Sequence, residues 1–262
     1  MFLLVAGVLV AVAISAFWLE RVAFSPSSDD SVAAAVLDND NIRNELATLI
    51  ASNDAPVLEV SSTQLKEFIE QIALLDAGAA LMSDVVEKAH ATVIGERIRP
   101  VRVTPAEQVQ IVRDERVANE SGIVVPVQEV TVLSALNSSI GWVWKVSAGL
   151  GGLLFLVGLI LRPEPGERTL ALSLSLLALG LLFPFFGWFV PFAILPNVSD
   201  DTWTAVFAEL ANDRLFVTIL VSVLSLVGAA LVFMRTTGSR QRRQSSTPLS
   251  MGRYREQQHW SR

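Results

Sequence analysis

The sequence predicts an α-helical integral membrane protein, with four transmembrane helices plus a mainly α extracytoplasmic domain carrying a minor β element. Three observations carry the prediction. Hydrophobic residues make up 52% of the 262 and charged residues only 18%, with a mean hydropathy of +0.49. The apolar residues come in blocks, and four blocks approach the ~20 residues that cross a ~30 Å hydrocarbon core as helix. The cations are placed unevenly around those blocks, which orients them.

The first block, Phe2–Trp18, is expected to be transmembrane helix 1 (1–18). It begins at Met1 without a basic n-region, so either the start lies upstream or the later spans dictate orientation. The expectation is an uncleaved signal anchor; cleavage after Ser15 or Ala16 is the alternative. Residues 19–140 hold 19 acids and 9 bases, a net charge of −10, and read as the extracytoplasmic domain. Within it Asp30 caps a short helix through Leu37, and the "DNDN" turn (38–41) leads into a helix over Ile42–Ala51. "SSTQ" (61–64) has capping-box spacing ahead of Leu65, Phe68, Ile69, Ile72 and Leu75 on one face. An amphipathic run covers Ala79–Ile94. "TPAE" (104–107) starts a further helix with Pro105 at its first position. "VRVT" (101–104) and "GIVVPV" (122–127) are short strands, Pro126 confining the second to an edge or an end.

From Val130 a helical period (Val130, Leu133, Leu136, Ile140) runs straight into transmembrane helix 2 (141–161). Pro163, Pro165 and Gly166 make the link 162–168 a tight turn, so helices 2 and 3 (169–190) are expected as an antiparallel hairpin. In the loop 191–214, Trp203, Val206, Phe207 and Leu210 follow a capping Asp200 or Asp201 at i, i+3, i+4, i+7. They are expected to form an amphipathic helix with its stripe in the lipid headgroups. Transmembrane helix 4 covers 215–234, and the basic tail 235–262 is expected to be disordered. That tail carries seven arginines against Glu256, and the link carries Arg162 and Arg168, whereas loop 191–214 has Arg214 beside four acids. The positive-inside rule then puts both termini in the cytoplasm and residues 19–140 outside the plasma membrane.

Candidate sites are few. Pro184, Phe185, Phe186, Trp188 and Pro191 in the outer half of helix 3 are candidates for a lipid or partner groove at a kink. The alternative is an aromatic belt at the outer boundary with Trp18, Trp142, Trp144 and Trp203. Small residues at four-residue spacing (Gly7, Ala11, Ser15; Ala148, Gly152; Ser225, Ala229) permit close helix packing within one bundle, or a homo-oligomer. Ser245 and Ser246 in "RRQSS" are candidates for phosphorylation, and the arginines around them suit anionic lipid. The sequons at Asn119, Asn137 and Asn197 read as chance. His90 beside Glu87 lacks a second imidazole for a metal site, and "DNDN" lacks the glycine and glutamate of a calcium loop. No cysteine is present, and no phosphate loop or catalytic triad is recognisable. No enzyme activity, cofactor, metal or nucleic acid is expected. A transporter would need ionisable groups at mid-bilayer, which the four blocks lack.

The stretches "FWLERVAFSPSSDDSVAAAVLDNDNIRNELATLIA" (17–51), "VRVTPAEQV" (101–109) and "GIVVPV" (122–127), ahead of closely spaced spans, resemble a group of uncharacterised actinobacterial integral membrane proteins. The resemblance implies an N-terminal anchor, an α-rich extracytoplasmic domain and an envelope location. The order of span, outer domain, two spans, small loop and span also resembles FtsX/MacB-type membrane subunits, which couple a cytoplasmic ATPase to work at the outer face. The seven-residue link 162–168 is shorter than their coupling segment. The expected function is a non-enzymatic plasma-membrane protein, an accessory, scaffold or sensory subunit with a membrane or envelope protein partner. A membrane subunit of a transport system, for mechanotransmission or lipid handling, is the alternative.

Overall fold

The computed structural model describes residues 1–25, 30–161 and 165–244. Four helical stretches are long and apolar enough to cross a membrane: Phe2–Phe24, Thr131–Ile160, Gly166–Val198 and Leu215–Arg235. They suggest a multi-pass membrane protein. The first comprises α1 (Phe2–Leu19) and a π-helical turn, Glu20–Phe24, that continues it.

The polar domain follows as α2 (Asp30–Leu37), α3 (Asp40–Leu58), α4 (Ser62–Ala73), α5 (Asp76–Val93), β1 (Val101–Val103), α6 (Pro105–Val112) and β2 (Ile123–Val125). α3 starts where the "DNDN" turn was expected, because Asn39 Oδ1 accepts the free backbone N–H groups of Asn41 and Ile42. It outruns the expected Ala51 and stops where Glu59 turns left-handed, with φ 58°. The capping box at "TPAE" is present: Thr104 Oγ1 accepts from the Glu107 N–H, and Glu107 Oε2 accepts from the Thr104 N–H. At "SSTQ" no such box forms, although Ser61 does occupy the N-cap. β1 and β2 pair antiparallel, Val101 opposite Val125 and Val103 opposite Ile123, and these four side chains face the core. Gln108, fully buried, ties α6 to this ribbon by donating to the carbonyls of Val103 and Ser121. On α4, Leu65, Ile69 and Ile72 are buried, but Phe68 and, beyond the helix end, Leu75, expected on the same face, stand exposed.

α7 (Thr131–Ile160) leaves the polar domain as one unbroken helix. α8 (Pro165–Pro184) runs on as a π-helix, Phe185–Ile194, and a 3-10 turn, Leu195–Val198. A 3-10 turn at Thr202–Ala205 opens α9 (Val206–Asp213), and α10 (Leu215–Gln244) completes the chain's described part. α10 takes in residues 235–244, expected to be disordered.

The spans stand in a row. α1 packs against α7 on one side and α8 on the other, and α8 packs in turn against α10. The hairpin expected between the second and third spans is therefore not formed: α1 lies between α7 and α8, although they are consecutive. Small residues explain the insertion. A Cβ on Gly7 would lie 1.7 Å from Ser175 Oγ on α8, and one on Gly158 would lie 2.5 Å from Leu3 on the α7 side. Gly151 meets Val10 and the Ala6 carbonyl. Ala148 and Gly152, expected to pack, are not part of that seam: Gly152 has nothing within 4 Å and Ala148 is exposed. One residue, about 100° of helix rotation, separates Gly152 from Gly151 in the seam that α1 uses.

These contacts yield a prediction. Gly7→Leu should lower stability in detergent by about 1–3 kcal/mol through overpacking, whereas Gly152→Leu should leave thermal unfolding unchanged. Equal effects of the two variants would contradict the row.

Candidate functional site: the junction of the polar domain and the spans

The junction is built from the end of α1 upward. A π-turn closes i to i+5 bonds, here from the Ser25 N–H to the Glu20 carbonyl at 2.8 Å. The Ala23 carbonyl, near the end of the turn, receives a donor from elsewhere: His90 Nε2–H on α5, at 2.8 Å. Because a carbonyl only accepts, the proton is on Nε2. Phe207 on α9 seals the contact, its ring centroid 5.5 Å from His90 and 6.0 Å from Phe24.

α9 is the largest correction to the sequence reading. Trp203, Val206, Phe207 and Leu210, expected in the lipid headgroups, are at most 3% exposed and belong to the polar domain's core. Polar bonds hold the segment there. Trp203 Nε1–H donates to Glu45 Oε1 at 3.3 Å, and Asn39 Nδ2–H donates to Glu209 Oε1 at 3.0 Å. Asp201 accepts from the backbone N–H groups of Trp203 and Gln128. Thr204 Oγ1–H donates to the Pro196 carbonyl at 2.9 Å. The connection between α8 and α10 is thus part of the polar domain, and Trp203 leaves the expected aromatic belt.

The other sequence candidates are dispersed. Pro191 is buried, as is Gly187 beneath Trp18, and Phe186 packs toward the core. Pro184 is the last residue of α8. Phe185 stacks on Phe189 at 5.5 Å and Trp188 on Phe192 at 4.7 Å, along the more exposed sides. The π-helix absorbs Pro191, which has no N–H to give. Trp18 Nε1–H reaches Thr218 Oγ1 on α10, and Trp142 is exposed. Glu87 is exposed and has turned away from buried His90. Asn137 donates to Glu96, and Asn197 to the Ala193 carbonyl. Ser245 and Ser246 lie outside the described residues. Among the described residues no three metal-ligating side chains are grouped.

One concavity lies beside the junction and another lies further along α1. A polar cleft of about 640 Å3 separates α3 from the segment 196–205, with Asn44, Glu45 and Thr48 facing Ser199 and Asp200. An apolar groove of about 510 Å3 runs along α1 between α7 and α8, from Ile14 to Arg168. Comparison of the chain with family models, curated proteins and solved structures finds no match.

His90 is the lone histidine of the polar domain. Its signal lay in its neighbours, since Val86, Ala89 and Val93 share its helix face and all are buried.

Burial holds His90 below the ordinary imidazole range, only partly offset by its bond to Ala23 and the charge of Glu96. The folded protein keeps the ring neutral while the unfolded chain takes a proton below about pH 6.5. Between the two values the unfolded state binds more protons, so stability is full above that pH and falls as pH drops through it. His90→Gln, which keeps a donor, should flatten this dependence between pH 7 and pH 5 in thermal unfolding. Trp203→Ala should remove about 3–5 kcal/mol at either pH; a negligible loss would return α9 to the lipid surface.

Proposed function

We propose that this is a non-enzymatic, multi-pass plasma-membrane protein with both termini in the cytoplasm and the acidic polar domain outside. It acts as an accessory, scaffold or sensory subunit of cell-envelope machinery, of the type found in uncharacterised actinobacterial membrane proteins. One observation carries the reading. The polar domain and the spans share a core through Ala23, His90 and Phe207, so a partner engaging the domain also bears on α1 and, through α9, on α10. Exposed Phe68, Leu74 and Leu75 give the domain an apolar surface at the turn between α4 and α5. Lipid handling is a second reading, favoured by the apolar groove along α1, which the row of helices leaves open toward the bilayer. Coupling to an ATPase of the FtsX/MacB kind is disfavoured, because α7 ends at Ile160 and α8 has begun by Pro165.

Reporter fusions at residues 165 and 262 should be active only with a cytoplasmic reporter, and a fusion at residue 60 only with an exported one. Affinity purification from native membranes should recover a membrane or envelope protein in fixed stoichiometry. Recovery of the chain alone, time after time, would contradict the accessory role.

A further inference from the structure

The geometry points to a membrane-dipping loop, "GERIRP" (95–100), that seats Ile98 in the headgroup layer beneath the polar domain, with Arg97 and Arg99 binding lipid phosphates. This rests on the proposal that the four helices span a bilayer. The level of that bilayer follows from α1. Its 18 residues, Phe2–Leu19, are about 27 Å long, close to a hydrocarbon core, so Glu20 marks the boundary. Glu20 Oε1 lies 3.3 Å from where a Cβ on Gly141 would stand, which carries the same level across to α7. Exposed Trp142 follows at once, where an interfacial indole belongs.

The chain after α5 descends α7 toward this boundary. Three successive contacts trace it. The Val130 N–H donates to the Val93 carbonyl at 3.1 Å. One turn lower, Gly95 adopts φ +76° and lies so close to Ser134 that a Cβ would come within 2.3 Å of its hydroxyl. A further turn down, Asn137 Nδ2–H donates to Glu96 Oε1 at 3.1 Å. Asn137 is only four residues, about 6 Å, from Gly141. Ile98 comes two residues after Glu96 and is within reach of the boundary, at ~3.3 Å per extended residue.

Ile98 is 97% exposed, more than any other large apolar residue described, even the span residues that face outward. A lone exposed isoleucine is unremarkable on a water-facing surface. Here it is at the tip of a loop at headgroup level, between two arginines, and Pro100 returns the chain to Val101, 1% exposed, in the core. Glu96 is occupied by Asn137, and Arg97 Nε–H donates to the Arg99 carbonyl, which holds the two cations on one short arc. Apolar insertion flanked by cations suits a surface of acyl chains beneath anionic phosphates. Arginine's planar fork suits the phosphate itself.

The chain has no cysteine, so single-cysteine variants label cleanly. Ile98→Cys, Trp142→Cys and Leu74→Cys would each carry an environment-sensitive fluorophore in the full chain. The three proteins would be reconstituted in phosphatidylcholine vesicles with or without phosphatidylglycerol. The label at 98 should shift to the blue and be quenched by nitroxide-bearing lipids as it is at 142. Position 74, exposed just ahead of α5 and about 21 Å along that helix from His90, should read as water. Phosphatidylglycerol should deepen the shift at 98, and Arg97→Gln with Arg99→Gln should abolish that increment. A label at 98 that behaves like the one at 74, while 142 is quenched, overturns the loop and leaves the spans standing. Loss of quenching at 142 as well overturns the spanning assignment itself. Quenching at 98 that ignores phosphatidylglycerol and the arginines overturns phosphate recognition.

Discussion

A helix end buried in apolar surroundings must find donors for its last carbonyls, and this requirement organises the junction. An unmet carbonyl in apolar surroundings costs roughly 1–3 kcal/mol. In α1 the π-turn satisfies part of the end, and the buried Ala23 carbonyl takes the Nε2–H of His90. That one bond sets the imidazole tautomer and brings α5 over the end of α1. It also creates an aromatic gap that Phe207 fills. Once Phe207 is committed, α9 cannot lie on the lipid.

The same commitment explains why the connection between the last two spans is rich in polar staples. Burying Trp203 brings an indole N–H out of water, and Glu45 meets it. Asp201 accepts two backbone donors, and Glu209 takes the Asn39 amide. The bonds from Trp203 to Glu45, from Gln128 to Asp201 and from Asn39 to Glu209 cross between chain segments far apart in sequence. Together they make the α8–α10 connection a structural member of the polar domain, so that domain is gripped by the ends of all four apolar helices. Within the row, glycines do the corresponding work: Gly7, Gly151 and Gly158 let α1 enter between α7 and α8.

Much of this architecture was legible because its signals are local. Block length marks the apolar helices, Thr104 and Glu107 mark a cap, and alternation of valines marks the ribbon, whose inward residues are those with buried neighbours. Partner choice was not legible. The stripe Trp203, Val206, Phe207 and Leu210 has the same spacing whether lipid or protein covers it. The link after α7 is short enough to suggest a hairpin, but shape at Gly7 and Gly158 gives α1 the inner place. Phe68 and Leu75 share a period with buried Leu65 and Ile72, yet the domain supplies nothing to cover them. Period identifies a face; which surface meets it depends on contacts between residues over a hundred positions apart.

Hydrogen exchange of the reconstituted protein tests the junction most directly. If α9 is part of the polar domain's core, amides of residues 206–211 should exchange as slowly as those of α5 around His90, and both should become labile together on acidification. Fast exchange of 206–211 while α5 remains protected would mean that α9 is a separate surface helix, and that the shared core described above does not exist.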